Sequence, residues 1–514
     1  MHQRQQGTAI LSGAPHRAKS KDLLLRALAL VLLCSLPASA QVLARPGWAG
    51  SGVTVETWWR RAVFYRLDPA TFQDSNGDGR GDLAGVAQRM DYLQSLGVDA
   101  LVLAPAASSP PLSPNDDAGF DDLTHAASTH HLRVLIALDN SSMTQGSSSL
   151  LAVARSWLTQ GAAGFFLSEG LLANPQLTAD LLHQLHALIA TFPGERILVS
   201  AAGRTADPGL GPALHREVQR VAASPLTSTN VSALRSVVQS DLDTANAADA
   251  RSRMGLPLLF AARRLPTSDA AQRKLVEPDF AVLLLASRTA VLLDCGQELG
   301  LDLTAANTGP LMQWTPGNRT LPPPPPPEIP KTFDTNAYKP FVPYVPPPPH
   351  SENPLPPPLP PAFVPETPDP RTLPGFSTAP IDASLAAPNG ATANVVAEDA
   401  DPRSMLNLYR HLIQLHHQNA SLHDGAQVFL DHDAEDALVW LRRPTAGART
   451  STTVLAIGNL SSHNLHLHLD AELKQLHSPY GGLRTLVYSA PIPFEDSEDI
   501  VLPPGGAFLG EFPR

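Results

Sequence analysis

The chain has 514 residues, 43% hydrophobic and 17% charged, which allows two or three domains with an ordinary globular core. Its formal net charge of −11 and pI near 5.9 argue against nucleic acid as a partner, because phosphate binding needs a basic surface. Cysteine occurs only at Cys34 and Cys295, so removal of Cys34 with a leader would leave no intrachain disulfide; Cys295 reads as a small buried apolar residue.

Arg17, Lys19 and Lys21 precede an apolar run from Leu23 to Leu36, and Ala38-Ser39-Ala40 then offers small residues for cleavage before Gln41. This is the pattern of an export signal over residues 1–40, followed by a linker over 41–55, and it predicts a periplasmic or extracellular protein. The run is short for a membrane span, and no later stretch is long and apolar enough for one. An uncleaved anchor or lipidation at Cys34 is the alternative.

From Trp58 to Pro105 the order is strand, acidic glycine-rich loop, helix, strand. Val63 to Leu67 is a short apolar run; Leu83, Val86, Met90 and Leu93 recur at helical spacing; Gly97 suits a left-handed cap; Val98 to Leu103 is a second apolar run. Two buried strands joined by a helix make one βαβ unit of a parallel sheet. In the loop, Asp74, Asn76, Asp78 and Asp82 place oxygens at alternating positions while Gly77, Gly79 and Gly81 let the backbone curl, which suits a hard cation such as Ca2+. A polar turn without metal is the plainer reading. An EF-hand would need Glu where Gly85 stands, and the acids between the glycines exclude a dinucleotide fingerprint. The Arg80-Gly81-Asp82 tripeptide reads as loop chemistry rather than as an adhesion signal.

The W-W-x-x-A-V-x-Y opening at Trp58, the D-S-N-G-D-G-x-G-D-L loop at Asp74 and the D-Y-L-x-x-L-G-V-D-A-L passage at Asp91 resemble the α-amylase superfamily, glycoside hydrolase family 13, in its oligo-1,6-glucosidase, α-glucosidase and trehalose synthase branch. The resemblance implies that the loop binds calcium through Asp74, Asn76, Asp78 and Asp82 and the carbonyl of Arg80. It also implies an α/β fold, a (β/α)8 TIM barrel over residues 56–420, with a C-terminal all-β sandwich over 424–514.

The strand and helix repeat continues accordingly. Arg133 to Leu138, Gly164 to Leu167 and Arg196 to Val199 read as strands three to five. Weaker runs at Leu226 to Asn230, Leu256 to Phe260 and Ala290 to Leu293 read as strands six to eight, with helices at Leu150 to Leu158, Leu177 to Ile189, Val231 to Leu242 and Phe280 to Ala286. Cys295 to Leu301, Pro310 to Trp314, Ala393 to Val396 and Asp401 to Ile413 resemble later landmarks of the family, and Met405, Leu408, Leu412 and Ile413 are expected to face the barrel wall. The stretch 316–374 carries about half of the chain's 51 prolines, Pro322 to Pro327 in one run, and predicts an extended polyproline insertion. It is read as a solvated spacer or as a ligand for a protein partner.

From Ala426 onward the pattern is of strands: Ala437 to Leu441, Thr453 to Asn459, Leu465 to Leu469, Leu483 to Tyr488 and Ala507 to Glu511. His466 and His468 share one strand face with His463 nearby; this reads as a solvated strand face, with a metal site as the alternative.

Retaining glycosidases need two carboxyl groups about 5 Å apart. In the family they end strands four and five. Here the strand-four motif G-F-R-L-D reads Gly164-Phe165-Phe166-Leu167-Ser168, so Phe166 replaces the orienting arginine and Ser168 the nucleophile. The strand-five V-G-E reads Val199-Ser200-Ala201, with Ala201 in place of the acid. The N-H-D after strand seven meets only Ala261-Ala262-Arg263-Arg264, and Ala137, Ser141 and Ser142 fill the strand-three motif. The interval from Ile136 to Gly164 leaves no room for the family's domain B. Glu169, Asp139 and Asp294 are the displaced carboxylates, with Glu169 expected to point away from the site by strand alternation. The leading expectation is an exported pseudoenzyme that binds an α-glucan, an oligosaccharide or a protein. The alternatives are an active α-glucosidase or transglycosylase using the displaced carboxylates, and a partner protein like the heavy subunits of amino-acid transporters.

Overall fold

The computed structural model describes residues 58–105, 119–143, 147–174, 177–200, 213–214, 258–261, 270–288, 290–301, 311–316, 375–379, 389–430, 437–444, 452–461, 463–489 and 496–513, with a few isolated positions besides. The predicted leader, the linker, the proline-rich stretch, Ala201 and Leu226 to Asn230 lie outside the described residues.

Eight parallel strands close a barrel in sequence order: β1 Val63–Leu67, β2 Ala100–Leu103, β3 Arg133–Leu138, β4 Gly164–Leu167, β5 Ile197–Ser200, β6 Ala213–Leu214, β7 Leu258–Ala261 and β8 Val291–Asp294. The ring shuts where β1 pairs with β8, Val63 opposite Val291 and Arg66 opposite Asp294. The predicted sixth strand is corrected: Ala213–Leu214 holds that place, and two residues carry no periodicity that a sequence could display. The first four strands are buried nearly throughout, as expected for a parallel sheet with helices outside it.

One expected helix is two. Leu83–Gln88 and Met90–Leu96 meet at Arg89, which leaves helical geometry at φ −104°, ψ 17°. Leu83, Val86, Met90 and Leu93 stay buried across the break. The Arg89 side chain donates to Gln73 Oε1 at 2.7 Å and lies 4.1 Å from the centre of the Trp314 ring. Gly97 caps the second piece in the left-handed region at φ 91°, where a side chain would be strained. The helix Met405–Gln418 is capped by Ser404 and buries Leu406, Tyr409, Leu412, Ile413 and His416. Met405 and Leu408 flank that face half-buried, one position off the expected stripe.

The C-terminal region holds a five-stranded antiparallel sheet in the order β13 (Arg484–Tyr488), β15 (Ala507–Glu511), β11 (Val454–Asn459), β10 (Ala437–Arg443), β9 (Ala426–Phe429). A two-stranded sheet pairs β12 (Leu465–Leu467) with β14 (Ile500–Leu502). Strand alternation divides the packing. Leu438 and Trp440 join the barrel core, whereas Val439 and Leu441 join Leu465, Leu467, Ile500 and Leu502 in a second core between the sheets. Trp440 Nε1 and Arg442 Nη1 both donate to the Ala286 carbonyl, at 3.1 and 2.8 Å, fastening the sheet to the end of the barrel helix Ala270–Leu285. Cys295 is half-buried rather than buried, with Sγ 3.8 Å from Met312 Sδ. Among the described residues no helix is long and apolar enough to cross a membrane.

Candidate active site

In a barrel of this kind, chemistry belongs at the C-terminal strand ends. At the end of β4, Phe166 is buried in register with Ala137 and Val199. Ser168 has a structural task. Its amide donates to the Leu138 carbonyl at 2.9 Å, its Oγ accepts from Leu171 N at 3.2 Å, and its carbonyl accepts from Leu172 N at 3.0 Å. It thus caps the short helix Glu169–Leu172, a place that favours serine. Glu169 is therefore in a helical turn and not on the strand, so the alternation argument for its direction does not apply.

The mouth is occupied by a pair that sequence inspection passes over. Arg66, the one cation in β1, grips Asp294 at the end of β8 with two hydrogen bonds, Nε to Oδ1 at 2.6 Å and Nη2 to Oδ2 at 2.9 Å. Its guanidinium lies 5.8 Å from the centre of the Phe166 ring, so this pair spans from β1 and β8 toward β4. An arginine inside an otherwise buried strand is the signal that could have found it. Asp139, after β3, is held by the amide of Ser141 at 3.0 Å and by the Ser141 hydroxyl. Asn140 accepts from Asn174 Nδ2 at 3.1 Å. The strands β3 and β8 are three spacings apart around the sheet, on the order of 14 Å at about 4.8 Å each. Asp139 is tied to Ser141 and Asp294 to Arg66, each on its own side of the barrel, whereas glycoside hydrolysis uses two carboxyl groups about 5 Å apart. From β3 the chain passes through the turn Asn140–Met143 and the helix Ser147–Thr159 straight into β4, so no domain B intervenes.

Behind the mouth, Glu298 is fully buried and its Oε1 accepts from both Tyr65 and Tyr92 hydroxyls at 2.7 Å. Burial first, and the neighbouring Glu298 and Cys295 with it, push both phenols well above their ordinary range. Glu398 is pushed up to about 8 by burial; the Leu406 amide that donates to Oε2 at 3.0 Å opposes this, and Glu298, Asp401 and Glu277 add to it.

The acidic loop is closed by its own amides. Asp74 Oδ1 accepts from Asn76 N at 3.1 Å and Gly77 N at 2.7 Å, and Oδ2 from Gly79 N at 2.8 Å and Ser377 Oγ at 2.5 Å. Burial alone would raise Asp74, but the Ser377 hydroxyl and the Gly79, Gly77 and Asn76 amides hold its carboxyl below the ordinary value. Asn76 Oδ1 accepts from Asp78 N at 2.9 Å and Asp78 Oδ1 from Arg80 N at 2.8 Å, a ladder of side-chain turns. Asp82 ties the loop to the helix that follows: Oδ1 caps the helix Leu83–Gln88 through Gly85 N at 2.6 Å, and Oδ2 accepts from Ser75 Oγ at 2.8 Å. The donor set is all oxygen and fits a hard cation in kind. Among the described residues, no three Asp, Glu, His or Cys side chains are gathered as a metal-holding group. His463, His466 and His468 are exposed, and His468 Nδ1 lies 2.5 Å from the Glu498 carbonyl.

Residues 66–126 match the family described as alpha amylase, catalytic domain. The chain is 50% identical over 64 residues to an oligo-1,6-glucosidase of Halalkalibacterium halodurans, covering 12% of this chain and 11% of that protein. It is 48% identical over 66 residues to a glucan 1,6-alpha-glucosidase of Streptococcus pneumoniae, covering 13% and 12%. The matched stretch is thus a small fraction of these relatives' length. Among solved structures, the isomaltulose synthase SmuA of Protaminobacter rubrum superposes with a TM-score of 0.62 at 14% identity, covering 90% of this chain and 100% of that one. The trehalulose synthase MutB of Pseudomonas mesoacidophila does so with a TM-score of 0.60 at 16% identity, covering 88% and 99%. The matched segment holds the end of the first strand, the acidic loop and the second strand; none of the strand ends where catalytic carboxylates would stand after β4, β5 and β7 lies within it.

Proposed function

From a chain that belongs to the α-amylase family, in its oligo-1,6-glucosidase and trehalose synthase branch, we propose an exported protein that keeps the family's barrel without its bond-cleaving chemistry and serves as a scaffold for carbohydrate or protein. The observation that carries this reading is the end of β4. A buried Phe166 replaces an arginine, and Ser168 serves as a helix cap, without the charge of a nucleophile and with no base bonded to its hydroxyl among the described residues. The basic and then apolar leader supports export to the periplasm or beyond. Titration of the purified chain with α-glucosidic oligosaccharides tests the proposal. Binding with no product after prolonged incubation supports a carbohydrate scaffold, whereas turnover removes the reading.

A second reading has one specific observation behind it. Asp294 is held by Arg66, and a carboxylate oriented by an arginine is what a displaced nucleophile would need. Against it, Ala201 stands where the resemblance places the acid, and loss of a positioned acid by itself costs on the order of 10² to 10⁴ in rate. A role as partner to a membrane protein has no such observation; recovery of an integral partner with the chain from a membrane fraction would support it.

We also take the acidic loop as a calcium site, with Asp74, Asn76, Asp78, Asp82 and the Arg80 carbonyl as ligands and a structural effect only. A cation bound by the folded state alone stabilises it, by about 2.7 kcal/mol at a hundredfold excess over Kd. Chelator should therefore lower Tm, and Asp78→Ala should abolish that response. An unchanged Tm on chelation removes calcium from the account.

A further inference from the structure

The acidic loop does something else in this chain: it receives the segment Gly375–Ala379 that follows the proline-rich stretch. On the outgoing side, Met312 N donates to the Thr71 carbonyl at 2.8 Å, and Trp314 Nε1 to the Phe72 carbonyl at 3.0 Å. On the returning side, the Phe376 carbonyl accepts from Asp74 N at 2.9 Å and from Gln73 Nε2 at 2.8 Å, while Arg89 Nη2 reaches the Gly375 carbonyl at 3.3 Å. A Cβ on Gly375 would stand 2.9 Å from that of Trp314, and one on Gly77 would stand 2.6 Å from Thr378 Oγ1. The two feet of the stretch 317–374 therefore stand against each other, and both rest on the segment that runs from Thr71 into the loop.

We propose that the loop Asp74–Asp82 is a clasp for the chain's own segment Gly375–Ala379, with the Ser377 hydroxyl on Asp74 as its catch. Four donors converge on the Asp74 carboxylate, three of them amides of the loop and one the hydroxyl of the returning foot. Ser377 Oγ accepts in turn from Ala379 N at 2.8 Å, which fixes the direction of its proton toward Asp74. The curl of the loop and the docking of the foot thus share one acceptor and form as a unit. Closure entropy rises only logarithmically with loop length, so a handful of hydrogen bonds at the base is enough to hold a long excursion shut.

Hydrogen exchange on the full chain, with chelator present throughout, tests the clasp without depending on whether the loop takes calcium. Ser377→Ala should speed exchange at least fivefold in peptides spanning 73–79, 311–316 and 375–379, and leave β10 and β11 unchanged. Ser128→Ala, at an exposed serine of the helix Phe120–Thr129 outside the clasp, should match wild type. Unchanged exchange of the Asp74 and Gly79 amides in Ser377→Ala would overturn the proposal. So would acceleration spread evenly into β10 and β11, or an equal effect of Ser128→Ala.

Discussion

Trp314→Ala should cost about 3–5 kcal/mol of stability, the range for removing a large buried aromatic side chain. The ring is 3% exposed and meets Phe72 edge-on at 5.2 Å and Tyr92 edge-on at 5.0 Å, with the Arg89 guanidinium over its face. Its Nε1 donates to the Phe72 carbonyl. Trp314→Phe keeps an apolar ring and loses that hydrogen bond with part of the cation contact, so about 1–2 kcal/mol is expected. Urea midpoints at a common slope decide the matter; a loss under about 1 kcal/mol for the alanine variant would mean that the tryptophan does not hold the loop, the helix break at Arg89 and the outgoing foot together.

Asp279→Leu should act in the opposite direction and stabilise the protein by about 1–3 kcal/mol at neutral pH. Asp279 is fully buried in the helix Ala270–Leu285, directly after Pro278, and neither of its carboxylate oxygens has a hydrogen-bond partner among the described residues. Burial raises its carboxyl well above the ordinary value. The folded state then holds a proton that the unfolded chain releases near pH 4, so folding stability falls as pH rises from there toward the folded-state value. The benefit of the leucine should be small at pH 4 and grow toward pH 7. A variant that is destabilised, or whose gain is the same at both pH values, would show that the carboxyl has a partner and a charge in the fold.

What the sequence revealed, and what it hid, follows the range of the interactions. β3 and β4 are found where the residues alone place them, because apolar runs with sharp edges are local signals. β6 is two residues long and gave no signal. The helix break at Arg89 answers to Gln73 and Trp314, which no periodicity records. At the candidate site the absences could be read directly, since Phe166 and Ser168 are a matter of residue type. The pairing that fills the mouth was not legible: Arg66 and Asp294 are 228 residues apart and meet only because the barrel closes β8 on β1. The seat of Phe376 on Gln73 spans 303 residues, and nothing in the alternating acids of the loop announces it. Ser168 shows the limit from the other side, since its residue type excluded one role while its cap bond to Leu171 N, three residues along, supplied the actual one.

Whether the barrel has been retained without glycosidic chemistry is decided by glucose release from isomaltose, measured on the purified full chain with calcium present beside Asp294→Asn and Glu169→Gln. No release above the buffer rate is expected from any of the three. A wild-type rate well above buffer that falls by about 10² or more in either variant, the scale of losing a catalytic carboxyl, would contradict it and identify the displaced residue.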